Sequence, residues 1–112
     1  MFRHQFRAVV KSGELEGFLA EASSFNTELA ALGLPHFRVW VGVFGNLNEV
    51  WAETEFASLD EHWSRLRAAH QQAAFRSAFE ALCSHLVPGS AHDQVMEPLS
   101  LYLTDPAPPD TT

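Results

Sequence analysis

The chain has 112 residues, of which 46% are hydrophobic and 19% are charged, and its formal net charge is −7. This length supports one compact core, and the acidic balance excludes nucleic acid as the expected partner, because phosphate binding needs a concentrated positive surface. The single cysteine, Cys83, excludes an intrachain disulfide and the C-x-x-C spacing of zinc or redox sites. The lone cysteine indicates a reducing, cytoplasmic location. No segment approaches the roughly 18 apolar residues that cross a bilayer, so we expect no membrane partner.

The opening segment alternates apolar and polar residues with a period of two, which predicts a half-buried strand rather than a secretory signal. Its apolar side carries Phe2, Phe6, Ala8 and Val10, and His4 is the one polar residue among them. A polar side chain at this position is predicted to face the core.

A helix is predicted to follow Ser12 and Glu14. Apolar residues spaced three and four apart form its stripe: Leu15, Phe18, Leu19, Ala22, Phe25, Leu29 and Leu32. Gly33 and Pro35 predict the end of this helix, because glycine commonly closes a helix and proline does not continue one.

Residues 36–44 and 49–56 predict two strands joined by a tight reversal from Gly45 to Asn48. Pairing Gly45 with Asn48 gives one apolar face, with Val43 beside Val50, Val41 beside Ala52, Val39 beside Thr54 and Phe37 beside Phe56. The other face then places Arg38 opposite Glu55, Trp40 opposite Glu53 and Gly42 opposite Trp51. We expect a structural Arg38–Glu55 ion pair there, and a second sheet to cover the two tryptophans.

Ser58 predicts the start of another helix, since serine caps a helix and acidic residues favour its first turn. This helix is expected to break near His70-Gln71-Gln72 and to continue as a second stripe from Phe75 to Leu86. A last strand is predicted over 93–102, at an edge because it contains Pro98. We predict one domain over 1–103 and a disordered, proline-rich tail over 104–112.

The predicted order is strand, helix, strand, strand, helix, strand. This is the ferredoxin-like βαββαβ fold of the α+β class, with a four-stranded antiparallel sheet and all helices on one face. The bare face of such a sheet favours association with a second copy, so we expect a homodimer of the dimeric α/β barrel type. Arg3 and Arg7 are predicted to add charge complementarity to the partner's Glu53 and Glu55.

Three segments, 44–51, 56–60 and 74–79, resemble the NIPSNAP-like branch of the dimeric α/β barrel superfamily. They match its Gly and Asn hairpin turn, its strand ending in an aromatic residue before Ser-Leu, and its aromatic late helix. The resemblance covers residues 2–101 and brings no catalytic signature. It implies a pocket between sheet and helices, and relatives in the superfamily include cofactor-free monooxygenases, polyketide cyclases, haem-degrading enzymes and isomerases.

The histidines are the candidate chemical groups. His4 and His62 are predicted to meet in the pocket and to transfer a proton on an enolisable substrate, since imidazole titrates near neutral pH. Phe6, Trp63 and His70 are predicted to bind the substrate. The more frequent alternatives are a core histidine bonded to backbone at position 4 and a core aromatic at position 63. The sequence has no pair of histidines at the spacing that chelates one ion, so no metal site is predicted. No cofactor is expected either.

The sequence therefore predicts a small-molecule-binding enzyme of secondary metabolism, a cofactor-free cyclase, isomerase or monooxygenase acting on an aromatic or polyketide-like substrate. Two alternatives stay open. A haem-binding relative would use one histidine as the axial ligand. A non-catalytic binding or interaction module would dimerise and carry a ligand without changing it.

Overall fold

A computed structural model describes residues 1–42 and 48–97, which form one antiparallel sheet backed by helices. The elements in chain order are β1 (Phe2–Val9), α1 (Leu15–Ala31), β2 (Arg38–Val41), β3 (Glu49–Phe56), α2 (Leu59–Ala69), α3 (Ala73–Cys83) and β4 (His92–Met96). The strand order is β2-β3-β1-β4. This is the predicted ferredoxin-like βαββαβ fold, with the second helical segment divided into two. Within the described ranges, no helix has the length and apolar character that a membrane span requires.

The core lies between the sheet and the helices and has two parts. The first joins β1 and β3 to α1 and α3 through Ala8, Val10, Phe18, Ala22, Val50, Leu82 and Leu86. The second joins α1 to the α2–α3 segment through Leu29, Leu34, Ala69 and Phe75. Phe18, Leu29 and Phe75 are at most 2% exposed, so the predicted helical stripes supply the largest buried side chains.

The end of α1 matches the prediction from Gly33. Gly33 has φ of 73°, which glycine adopts without steric cost. Its N–H donates to Ala30 at 3.1 Å, and the N–H of Leu34 donates to Leu29 at 2.9 Å. These bonds satisfy carbonyls at the helix end and return Leu34 to the core beside Leu29.

The predicted cap and break of the later helices are also present. The Ser58 hydroxyl accepts the N–H of Glu61 at 3.2 Å and begins α2. The helix ends at Ala69, and α3 begins at Ala73, so the chain changes direction at the segment from His70 to Gln72.

The predicted register of the β2–β3 hairpin is wrong by two residues. The observed pairs are Arg38 with Glu53, Val39 with Ala52, Trp40 with Trp51, and Val41 with Val50. The Gly42 N–H donates to the Glu49 carbonyl at 3.3 Å and continues this register to the end of the first described range. Residues 43–47, which hold most of the predicted turn, lie outside the described part of the chain. A shift of two keeps every side chain on its predicted face.

The register change also replaces the predicted Arg38–Glu55 ion pair. Glu55 instead pairs with Arg3 across β1 and β3, at 3.5 Å between side chains that are both nearly half exposed. The Arg7 guanidinium lies 5.1 Å from the Trp51 ring centroid. Both arginines thus have a partner within their own chain, and contacts of Arg3 and Arg7 with a second copy stay a prediction.

Strand β4 pairs with β1 at the edge of the sheet, as predicted for the last strand. It runs from His92 to Met96, one residue earlier than the predicted start. Pro98, the rest of the predicted strand and the predicted tail over 104–112 lie outside the described residues.

Asn26 joins α1 to the start of β2, and its removal tests this part of the fold. Its amide donates to the Phe37 carbonyl and accepts the Phe37 N–H, both at 2.9 Å. We expect Asn26→Ala to lower the free energy of unfolding by about 1–3 kcal/mol, because two part-buried backbone groups lose their partners. Urea unfolding measures this loss. The neighbouring Thr27→Ala, at an exposed position, is the control, and equal effects of both substitutions would contradict the assigned role of Asn26.

Candidate functional site

A cavity of about 210 Å³ opens between the sheet and the helices. Aromatic side chains make most of its wall: Phe6, Phe18, Phe25, Phe37, Trp63, Phe75 and Phe79. The polar or charged residues of the wall are His4, Asn26, Arg67, His70 and Asp93. An apolar cavity of about 150 Å³ holds benzene, so this one has room for a compound of one or two rings.

His4 is the central polar group of this cavity. It lies on the helix-facing side of β1, as predicted, and is 8% exposed. Its Nδ1 is 3.2 Å from Nε2 of His62, and its Nε2 forms a hydrogen bond with Oδ1 of Asp93. His4 is buried, as the alternative of a core histidine expects, but both ring nitrogens bond to side chains instead of backbone.

His62 contacts His4 but is not among the residues that line the cavity. It is 4% exposed, on α2, and its ring stacks on Phe56 with a centroid separation of 3.7 Å and an angle of 7°. The structure brings His62 to His4, as predicted, but leaves it without direct access to a bound ligand. A catalytic role of His62 stays a prediction.

Burial lowers the pKa of His62 below its ordinary value of 6.5, positive charge on His4 lowers it further, and the carboxylate of Asp93 partly opposes both effects. A neutral His62 accepts a hydrogen bond from a His4 imidazolium, which at the same time donates to Asp93. When His4 is neutral it donates only to Asp93, and His62 then donates to His4. Asp93, His4 and His62 thus form one hydrogen-bonded series that runs from the cavity wall to α2.

Asp93 is the site residue that sequence reasoning missed. It lies on β4 opposite Phe6, diagonal to His4, whose own partner in that ladder is Val95. The Asp93 side chain is 60% exposed and lines the cavity. An acidic residue at the start of the predicted last strand was the available signal. Its alignment with His4 depends on the β1–β4 register, which the sequence did not give.

Trp63, Arg67 and His70 approach the cavity from one face of α2 and its end. Their spacing of four and three residues places them on the same side of the helix. Trp63 is 55% exposed, so the alternative of a core aromatic is wrong. The His70 ring meets Phe75 and Phe79 edge to face, at centroid distances of 4.9 and 5.5 Å. Phe6 lines the opposite, sheet side, so the three predicted substrate-binding residues share one cavity.

Other candidate chemistry is limited. Within residues 1–42 and 48–97, no group of three or more histidine, cysteine, aspartate or glutamate side chains is placed to hold a metal ion. Burial raises the pKa of the Cys83 thiol, so it stays protonated at neutral pH. The site therefore offers proton transfer and apolar binding as its chemistry.

The fold is shared with NIPSNAP family and NIPSNAP domain proteins of known structure. A NIPSNAP family protein of unknown function from Agrobacterium tumefaciens superposes with a TM-score of 0.73 at 19% identity, over 88% of this chain and 87% of that one. An uncharacterised NIPSNAP domain protein from Burkholderia xenovorans gives 0.74 at 12% identity, over 94% of this chain and 100% of the other. These similarities confirm the predicted resemblance at the level of the fold.

A second group of similar structures is named for an activity. A putative antibiotic biosynthesis monooxygenase from Bordetella bronchiseptica superposes with a TM-score of 0.69 at 10% identity, over 87% of this chain and 95% of that one. At such identities the likeness shows a shared fold. No protein-family model and no curated protein matches this sequence.

The lowered pKa of His62 predicts a pH-dependent stability. Between that pKa and 6.5 the unfolded chain binds more protons at His62 than the folded chain does, so the free energy of unfolding falls as pH drops below 6.5. We expect this decline to be steeper in the wild type than in His62→Gln, measured by urea unfolding from about pH 7.5 to 5.5. His36→Gln, which changes an exposed histidine, serves as the control. Parallel curves for wild type and His62→Gln would contradict the prediction.

Proposed function

We propose that the protein is a cofactor-free enzyme of secondary metabolism that binds an aromatic or polyketide-like molecule in the cavity and transfers a proton on it. Cyclases, isomerases and cofactor-free monooxygenases share this first step, the removal of a proton from an activated C–H or O–H group. The observation that carries the proposal is the hydrogen-bonded series Asp93–His4–His62 at the wall of an otherwise apolar cavity.

Asp93 is the proposed base. Its Oδ1 binds His4, and its Oδ2 makes no hydrogen bond to the described residues, so this oxygen is available to a ligand. A ligand bound in the cavity lies against this carboxylate, which is therefore placed to accept a proton from it. The proton passes from the substrate carbon or oxygen to Oδ2, and the electron pair stays on the substrate as an enolate or phenolate.

His4 is the proposed second catalytic residue. It fixes the orientation of Asp93, and in its imidazolium form it places positive charge beside the developing anion. His62 is a positioning residue, because it touches His4 and lies outside the cavity wall. Phe6, Trp63 and His70 supply the binding surface.

Two further observations support the proposal. The cavity volume suits one or two rings, and a structurally similar protein is named as a putative antibiotic biosynthesis monooxygenase. The lone Cys83 supports action in a reducing compartment such as the cytoplasm.

We also infer that the protein forms a homodimer through the outer sheet face. Trp40 is 56% exposed and lies directly opposite Trp51, and Met96 on β4 is 40% exposed. Large apolar side chains on one sheet face favour burial against a second sheet.

Asp93→Asn tests the proposed chemistry. The probe is 2-tetralone, a two-ring ketone with activated C–H bonds, and NMR in D₂O measures exchange of these hydrogens. We expect the wild type to accelerate exchange above the buffer rate, and Asp93→Asn to reduce the acceleration roughly 100- to 10,000-fold, the usual range for a general base.

Asp60→Asn, which removes an exposed carboxylate from the first turn of α2, is the matched control and should exchange like the wild type. His4→Gln should also lose activity, since it removes the imidazole that links Asp93 to His62. If 2-tetralone binds, as shown by shifts of protein amide signals, and exchange stays at the buffer rate, the protein is a binding module and the proposed activity is wrong.

Trp40→Glu tests the proposed dimer. Native mass spectrometry should show a dimer for the wild type and a monomer for Trp40→Glu, because a charge in the sheet-to-sheet contact is buried without a partner. Leu32→Glu, at a 39% exposed residue after α1 in the helical layer, should remain dimeric. A monomeric wild type, or a dimer that survives Trp40→Glu, would rule out this contact. The same spectrum reports any copurified ligand or haem.

A further inference from the structure

Among the described residues that line the cavity, Arg67 is the one arginine or lysine. Arg67 lies in the last turn of α2, where it is exposed, and it has no ion-pair or hydrogen-bond partner among residues 1–42 and 48–97. Its neighbour Arg65 differs, because it pairs with Glu61 and donates to the Gly33 carbonyl at 3.4 Å. Arg76 likewise donates to the His70 carbonyl at 2.9 Å. Arg67 is thus a guanidinium at a ligand cavity whose hydrogen-bonding capacity the described chain leaves unused.

The surroundings of Arg67 suit a flat acidic ligand. Trp63 precedes it by one helical turn on the same face and offers an exposed aromatic surface. A guanidinium is planar and binds a carboxylate through two parallel hydrogen bonds. A ring in the aromatic cavity can therefore place an acidic substituent at Arg67.

The charges of the cavity are separated between its two walls. Asp93 lies on β4, in the sheet, whereas Arg67 lies on α2, in the helical layer. A carboxylate ligand is repelled by Asp93 and attracted by Arg67, so it is held with its acid at α2 and the rest of the molecule toward the sheet. This orientation brings a position remote from the carboxylate to Asp93 and His4.

From this arrangement we propose that the ligand is an aromatic carboxylate of one or two rings, anchored by a bidentate contact of its carboxylate with Arg67. The inference rests on the cavity of the proposed function and adds the chemical class of the substrate. The reacting C–H or O–H group then lies at the end of the ring system opposite the acid.

The test compares 2-naphthoate with 2-naphthamide, two planar compounds of nearly the same shape of which only the first is charged at neutral pH. Isothermal titration gives the Kd of both for the wild type, Arg67→Gln and Arg65→Gln. We expect the wild type to prefer the carboxylate roughly 10- to 100-fold, the range for hydrogen bonds to a charged group. Arg67→Gln should lose this preference, and Arg65→Gln should keep it.

Binding of 2-naphthamide to Arg67→Gln with the affinity of the wild type shows that the variant retains the cavity. Three results would each overturn the inference. The wild type could bind the two compounds with equal affinity, Arg67→Gln could keep the preference for the carboxylate, or neither compound could bind. Hydrogen exchange in 2-tetralone, which has no acid group, decides the proposed proton transfer separately. Carboxylate preference without exchange would leave the Arg67 anchor in place and remove the enzymatic activity.

Discussion

The arrangement of this molecule around its cavity depends on one buried imidazole. His4 occupies an inward position of β1 where the alternation otherwise places apolar residues, and it is 8% exposed. A buried polar group without hydrogen bonds costs about 1–3 kcal/mol, so both ring nitrogens of His4 need partners. His62 and Asp93 supply them from α2 and β4. The helix after the hairpin and the edge strand are thereby fixed to the central strand by the residues that also make the site.

The cavity exists because large rings surround this polar group without filling the space beside it. Asn26 fixes the position of Phe37 by bonding its backbone on both sides, and the Phe37 ring meets His4 edge to face at 5.2 Å. The break between α2 and α3 turns the chain at His70, whose ring contacts Phe75 and Phe79. Structural residues and proposed functional residues are thus in direct contact, and substitutions at Asn26 act on the cavity as well as on stability.

The sheet presents two chemically different faces. The inward face carries the core and the cavity, while the outer face combines the Arg3–Glu55 pair, the Arg7–Trp51 contact and the exposed Trp40. Exposed ion pairs contribute little stability, with typical values of about 0–1 kcal/mol. The apolar area of Trp40 is the stronger argument for a second sheet against this face, and the proposed dimer leaves the cavity on the other side of the sheet.

The sequence by itself determined the order of elements, the alternating faces of the strands, the cap at Ser58, the helix end at Gly33 and the inward direction of His4. These features follow from periodicity and from local backbone preferences, which neighbouring residues decide. It did not determine the hairpin register, because two registers that differ by two residues place the same side chains on the same faces. The contact of Asp93 with His4, the position of His62 behind His4 and the exposure of Trp63 were decided by the tertiary structure alone. Each depends on how far one element is displaced along another, and that distance is set by packing between residues remote in the chain.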